Sequence, residues 1–317
     1  MAHRIFFSVD VHGNTMVWRK WLSAVQYYQV NTLMLCGDLT GKMLVPLIKQ
    51  HDGSYEVRFF QQKNKVKNEQ EYKVMVDRIE NSGNYPFDAT PEEIEVLRKS
   101  KDKVDALMKQ SIMERIKKWC ELAVEKLDLK KTQLIMMPGN DDIKEVDSII
   151  KSYEDKGIVY PLDKIVQIGG VDTLSFEYVN PSPWDTPREL SESDMTKRID
   201  EIASKLSDPR KSIFNFHCPP YGTKIDMAPQ LDKSLKPVTE GGAVVFAHCG
   251  SKAVLEALKK YQPMIGLHGH IHEAGATDKV GETPVVNPGS EYGEGMIRGI
   301  IIDIEDGKVA KHWRVEG

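Results

Sequence analysis

Cysteine is scarce in this chain, and the little there is forms no framework. Cys36, Cys120, Cys218 and Cys249 are scattered over 317 residues without a Cys-x-x-Cys pair. That usage argues against a disulfide-stapled scaffold and fits a reducing compartment. Long apolar runs are missing as well. None approaches the roughly 18 residues of a membrane span, so no membrane partner is expected. The first residues enter a strand pattern at once, with no basic stretch and signal-like apolar segment, so the expected compartment is the cytoplasm. Neither sign of charge is in excess: a net charge of −4 gives no global pull towards nucleic acid or anionic lipid. Repeats and low-complexity tracts are absent. At 40% hydrophobic residues the chain has an ordinary globular composition and can bury a large core.

What the chain does contain is a series of short apolar runs, each ending in a polar turn. Residues 5–9 read as a buried strand that stops at Asp10-Val11-His12-Gly13-Asn14. A helical stretch over 15–29 leads to a second strand, 32–36, which stops at Gly37-Asp38. Two strands joined by a helix make a βαβ unit, and that brings both strand ends to one sheet edge. Residues 133–137 form a third strand, ending in Pro138-Gly139-Asn140-Asp141-Asp142, where Asp142 with Glu145 reads as a capping box for the next helix. Residues 165–178 predict two strands around Gly169-Gly170, and 212–216 a strand that delivers His217. A strand at 264–267 leads into His268-Gly269-His270-Ile271-His272, where alternate residues of an extended chain would point the same way. A hairpin over 299–314, turning at Asp306-Gly307, closes the chain.

Between the second and third strands the texture changes. Alternation at 55–60 and a polar stretch at 61–72 predict a small hairpin. Thr90-Pro91-Glu92-Glu93 then supplies an N-cap, a proline at the first helical position and a capping-box glutamate. Ile112, Ile116, Trp119 and Ala123 recur at helical spacing in a stretch free of glycine and proline, so one long helix or a helical pair is expected. Residues 51–131 thus form a helical insertion, a lid or an interface, within a single domain spanning 1–317. Its lysines, such as Lys63, Lys65 and Lys67, are balanced by acids, which favours solvated faces over a nucleic-acid surface.

Asp10, His12, Asp38, Asn140, His217, His270 and His272 all follow predicted strands. One polar residue after a strand is ordinarily a turn residue. So many oxygen and nitrogen donors, with no thiolate among them, point instead to a catalytic site for Mn, Fe or Zn. Asp10-x-His12, Gly37-Asp38, Gly139-Asn140-Asp141, His217 and Gly269-His270-x-His272 resemble the five ordered motifs of the calcineurin-like metallophosphoesterase superfamily, over about 1–45 and 132–290. The resemblance implies an α/β fold: a four-layer αββα sandwich of two mixed β-sheets around two divalent metal ions, with manganese favoured. One metal would be held by Asp10, His12 and His272, the other by Asn140, His217 and His270, with Asp38 bridging. The implied activity is hydrolysis of a phosphate ester by a hydroxide bridging the two metals. The Gly-Asn-Asp-Asp form, the insertion and His217-x-Pro-Pro-Tyr-Gly-Thr further resemble a prokaryotic subgroup of the superfamily.

One position departs from the pattern. Most of the superfamily has a histidine after Gly-Asn that is taken to assist the leaving group, and here that residue is Asp141. A carboxylate with an ordinary pKa of roughly 4 is a poor proton donor at neutral pH, and it repels a phosphate dianion more than a diester monoanion. Phosphodiesters are therefore expected to be favoured over monoesters. The alternative is that Asp141 only supports the following helix N-terminus. His248, ahead of a helix N-terminus, and Arg188, in a proline-rich loop beside Trp184, are candidate substrate contacts. His268 is expected to pack rather than ligate. Two rival readings are a DNA or RNA nuclease, against which the charge balance argues, and a catalytically silent scaffold, against which the full donor set argues.

Overall fold

The computed structural model describes residues 2–317. Central strands with apolar residues at both parities need cover on both faces, and the architecture supplies it. The first six-stranded sheet runs in the order Lys308–Glu316, Arg298–Glu305, His3–Ser8, Thr32–Cys36, Gln133–Met137 and Ile158–Val159. The second runs Ala276–Val280, Thr283–Asn287, Ile265–Leu267, Ser212–Phe216, Val171–Phe176 and Ile165–Ile168. Both are mixed, with parallel strands in the middle. The helices are α1 (Thr15–Tyr28), α2 (Glu69–Glu80), α3 (Pro91–Arg98), α4 (Lys101–Lys126), α5 (Val146–Lys151), α6 (Glu192–Ala203) and α7 (Lys252–Tyr261).

Packing fixes the layers. Ile213, Ile265 and Leu267 of the second sheet join Phe6, Leu33 and Ile135 of the first in one core, which extends to Trp18 and Trp21 of α1 and Ile116 of α4. Phe214 and Phe216, of opposite parity to Ile213, pack with Met195 and Ile199 of α6 and Val254 and Leu258 of α7. The result is an αββα sandwich. Several local expectations hold to the residue: the three strands Thr32–Cys36, Gln133–Met137 and Ser212–Phe216, and the terminal hairpin turning at Asp306-Gly307. Ser251 caps α7 by accepting from the Val254 amide, and Thr90 and Glu93 form a capping box on α3. Among the described residues no helix is long and apolar enough to cross a membrane.

The segment between the second and third core strands holds more than a hairpin and helices. Gln62–Val66, Tyr55–Phe59, Leu44–Lys49 and Tyr85–Ala89 make a separate four-stranded sheet with its own small core of Leu47, Val57, Phe59, Met75 and Ile79. Two of its strands escape sequence reading because each contains a proline, Pro46 and Pro86, which removes a ladder donor and reads against a strand. Asp142 also departs from expectation. Its carboxylate caps no helix; it accepts from Leu39 N (2.9 Å), Thr40 N (2.9 Å), Thr40 Oγ1 (2.6 Å) and Gly139 N (2.8 Å). Four donors from two loops outweigh the capping of one short helix.

The segment between the second and third core strands packs against the core through α4. Trp119 of α4 stacks on Trp18 of α1 with ring centroids 4.7 Å apart and planes at 4°. Arg115, buried in α4, donates to the Gly13 carbonyl (2.6 Å), to Thr15 Oγ1 (3.1 Å), to the Asn84 carbonyl (3.2 Å) and to Glu80 (3.0 Å). Gly41 N donates to the Tyr85 hydroxyl (2.8 Å). The loops that carry His12 and Asp38 are therefore held from outside the core.

Candidate metal centre

Five loops meet at one edge of the sandwich. They follow the carboxyl ends of His3–Ser8, Thr32–Cys36 and Gln133–Met137 in the first sheet, and of Ser212–Phe216 and Ile265–Leu267 in the second. Parallel strands end together, and open α/β sheets place ligand sites at such ends. The loops are tied to one another: Asp10 N donates to the Gly37 carbonyl (3.0 Å), His12 N to the Asp38 carbonyl (3.0 Å) and Gly13 N to the Leu39 carbonyl (2.8 Å).

The backbone here is strained. Asp10, His12, Asp38 and His270 adopt left-handed φ angles of 54°, 40°, 47° and 67°. Asp and His tolerate that region better than most residues, yet each still costs of order 1 kcal/mol and persists only where its surroundings impose it. Two glycines are obligatory. A Cβ on Gly37 would collide with the His217 imidazole, and one on Gly139 with the Asp38 carboxylate.

The strain brings donor atoms together. Asp10, His12, Asp38 and His272 form one group and Asp38, His217 and His270 another, with ligand atoms in each lying within 4.8 Å of one another. Asp38 belongs to both: its Oδ2 is 3.6 Å from His12 Nε2 and its Oδ1 3.5 Å from His217 Nε2. Asp10 Oδ1 lies 3.9 Å from the Nε2 atoms of both His217 and His272. Asn140 Oδ1 lies 3.0 Å from His217 Nε2. The expectation from strand alternation at 268–272 does not apply, because the strand stops at Leu267 and His270 is left-handed. That turn sends His270 and His272 to different groups.

These residues fit a divalent cation. Asp10 Oδ1 is fully buried and has no hydrogen-bond partner among the described residues. The Nε2 atoms of His12 and His272 face each other at 3.0 Å. Burial pushes the His12 imidazole well below its usual pKa and His270 down to about 3, which keeps both neutral with a lone pair to give. Burial also raises Asp10, whereas Asp38, buried too, is held well below the carboxylate range chiefly by His217. Burial works against a charged His217, but Asp38 and then Asp10 raise it to about 9. Buried Asp and His groups that could hold a metal ion are thus present, with only oxygen and nitrogen donors.

Other candidates fall elsewhere. Asp141 lies at the open side, with its Oδ2 2.5 Å from Lys42 Nζ and its backbone N donating to Asp38 Oδ1 (3.0 Å). Arg188 is no substrate contact. It is 2% exposed, and its guanidinium is spent on the carbonyls of Asp142 (2.9 Å) and Ile143 (3.2 Å) and on Asp147 (2.6 Å). The anion site expected near His248 is also taken. Glu192 already accepts from the first α7 amides, Lys252 N (3.0 Å) and Ala253 N (2.7 Å), while His248 pairs with Asp226 at 2.7 Å. His268 lies outside both donor groups, with Nδ1 2.9 Å from the carbonyls of Phe216 and Cys218. Three residues here carry no sequence signal of their own: Lys42; Tyr292, whose ring lies 4.6 Å from that of His12; and Thr186, 3.1 Å from Asn140 Nδ2.

No family model matches this chain. It is 30% identical over 160 residues to an uncharacterized protein of Methanocaldococcus jannaschii, a match that covers 49% of this chain and 63% of that protein. A crystal structure aligns over 100% of this chain and 99% of its own with a TM-score of 0.58 at 15% identity. That of TT1561 from Thermus thermophilus aligns over 99% of each chain with a TM-score of 0.54 at 13% identity. An archaeal phosphodiesterase aligns only at a TM-score of 0.41 and 12% identity, too loosely to bear on this chain. What the first two structures share with this chain is its fold.

Proposed function

We propose that the chain is a metal-dependent phosphoesterase that takes two divalent ions. The observation that carries this reading is the pair of donor groups sharing Asp38 at one edge of the sandwich, buried except for the half-buried His270 and His272. Asp10, His12 and His272 would hold one ion, Asn140, His217 and His270 the other, and Asp38 would bridge them with its two oxygens. When bound, such a pair neutralises phosphoryl charge and makes water a competent nucleophile near neutral pH.

The chain's own residues do the rest. Asn140 gives a neutral oxygen, so the donor set leaves net positive charge for an anionic substrate. Lys42, at the mouth, offsets Asp141 and adds a cation within reach of a phosphate. Burial and Asp38 raise the Asp141 carboxyl above its usual range against the pull of Lys42, whose Nζ lies 2.5 Å from Oδ2 and favours the ionised form. With no imidazole at that position, leaving groups depart unassisted, which favours phosphodiesters and esters with acidic leaving groups over alkyl monoesters. The test is kcat/KM on a matched aryl diester and aryl monoester with Mn²⁺ added. The diester is expected to win; a strong monoester preference overturns the diester assignment, and no turnover of either overturns the function.

A further inference from the structure

The loop between the Val171–Phe176 strand and α6 grips Asn140 at two points. Arg188 N donates to the Asn140 carbonyl (3.2 Å), and Asn140 Nδ2 donates to Thr186 Oγ1 (3.1 Å). An asparagine amide has nearly the same shape in two orientations, with a carbonyl oxygen at one end and an NH₂ at the other. Only one of them turns Oδ1 towards His217 Nε2, 3.0 Å away; the other would turn an NH₂ there, which cannot ligate a cation.

Thr186 decides between them. A hydroxyl carries one hydrogen, and that of Thr186 is donated to Glu189 Oε1 at 2.8 Å. Glu189 is itself committed as an acceptor, taking Ser182 Oγ (2.6 Å), Ser182 N (2.9 Å) and Thr186 N (2.9 Å). With its proton given away, Thr186 Oγ1 offers Asn140 lone pairs alone, and these call for the amide NH₂. Asp141 Oδ1, 3.4 Å from the same nitrogen, is a second acceptor on that side. A flipped amide would set oxygen against oxygen at Thr186 and at Asp141. We infer that Glu189 and Thr186 are positioning residues that orient the Asn140 side-chain oxygen as a metal ligand. The inference rests on the reading of Asn140 as a ligand given above.

The test is Mn²⁺ binding by the full chain after metal is stripped with a chelator, with free Mn²⁺ followed by electron paramagnetic resonance. Thr186→Val removes the hydroxyl at nearly constant volume. It is expected to weaken one of two binding steps by about 10–100-fold, the loss usual when a partner of a metal ligand is removed, and to spare the other. Thr186→Ser restores the hydroxyl and is expected to restore the affinity. Unchanged binding by Thr186→Val, or a serine variant as weak as the valine one, overturns the inference while the two-metal reading stands. A wild type that takes up a single ion overturns the ligand reading of Asn140, and the inference with it. Should Thr186→Val fail to fold, Glu189→Leu carries the test, because a side chain of similar size with no acceptor leaves the Thr186 hydroxyl proton free to face Asn140. The same weakened step is then expected, and wild-type binding is the overturning result.

Discussion

Lys42 and Asp141 meet at 2.5 Å where the donor cluster opens to solvent, with the lysine side chain 56% exposed and the carboxylate 17%. Removing the lysine leaves that carboxylate unopposed beside any incoming phosphate. A charge-assisted hydrogen bond contributes about 1.5–3 kcal/mol, so Lys42→Met is expected to lower kcat/KM on the aryl diester roughly 10–100-fold. Mn²⁺ uptake should be unchanged, and Lys42→Arg should recover part of the loss. Steady-state kinetics beside a metal titration check this, and an unchanged kcat/KM in Lys42→Met removes the residue from substrate binding. Asp38 was legible in sequence because it ends an apolar strand. Lys42, four residues on, looks like any solvent-facing lysine, and only folding pairs it with Asp141.

At the scale of elements, α4 reaches the site through Arg115, whose guanidinium bonds the carbonyl of Gly13, next to His12. Arg115→Met keeps the packing stem and loses every donor, leaving buried acceptors unpaired at a cost of about 1–3 kcal/mol. The expected outcome is a matching loss in urea denaturation together with weaker Mn²⁺ binding, because the His12 loop loses an anchor. Stability loss with unaltered metal affinity would show that α4 does not set the donor geometry. The helical part of this insertion was legible, since Thr90-Pro91-Glu92-Glu93 and the spacing from Ile112 to Ala123 act locally. The sheet beside it was not. Its proline-bearing strands, Leu44–Lys49 and Tyr85–Ala89, pair with each other across residues 50–84, a contact that no local pattern announces.

For the whole molecule, a buried acid behind the site predicts how stability follows pH. Burial lifts Glu177 to about 7, although Arg188 Nη1 lies 3.9 Å away. An unfolded glutamate titrates near ~4.3. Between those values the folded chain keeps a proton that the unfolded chain releases, so stability falls as pH rises through the window. Glu177→Gln cannot titrate and is expected to flatten the fall in Tm between roughly pH 4 and 7. A series of thermal melts decides it, and equal slopes for variant and wild type reject the assignment.

Read alone, the sequence determined the pieces whose causes are short-ranged. Strand parity, helix caps and polar turns put Asp10, His12, Asp38, Asn140 and His217 at strand ends, and parallel order implied a shared edge. Tertiary structure decided which partners each polar group meets. Asp142 looked like a helix cap and is a clamp between two loops; Arg188 looked like a phosphate anchor and is buried against Asp147 and two carbonyls. The left-handed turn that separates His270 from His272, and the Thr186 and Glu189 contacts behind Asn140, belong to the same class. A backbone pattern is written in neighbouring residues, whereas a buried charge takes the partners that folding brings to it, from anywhere in the chain.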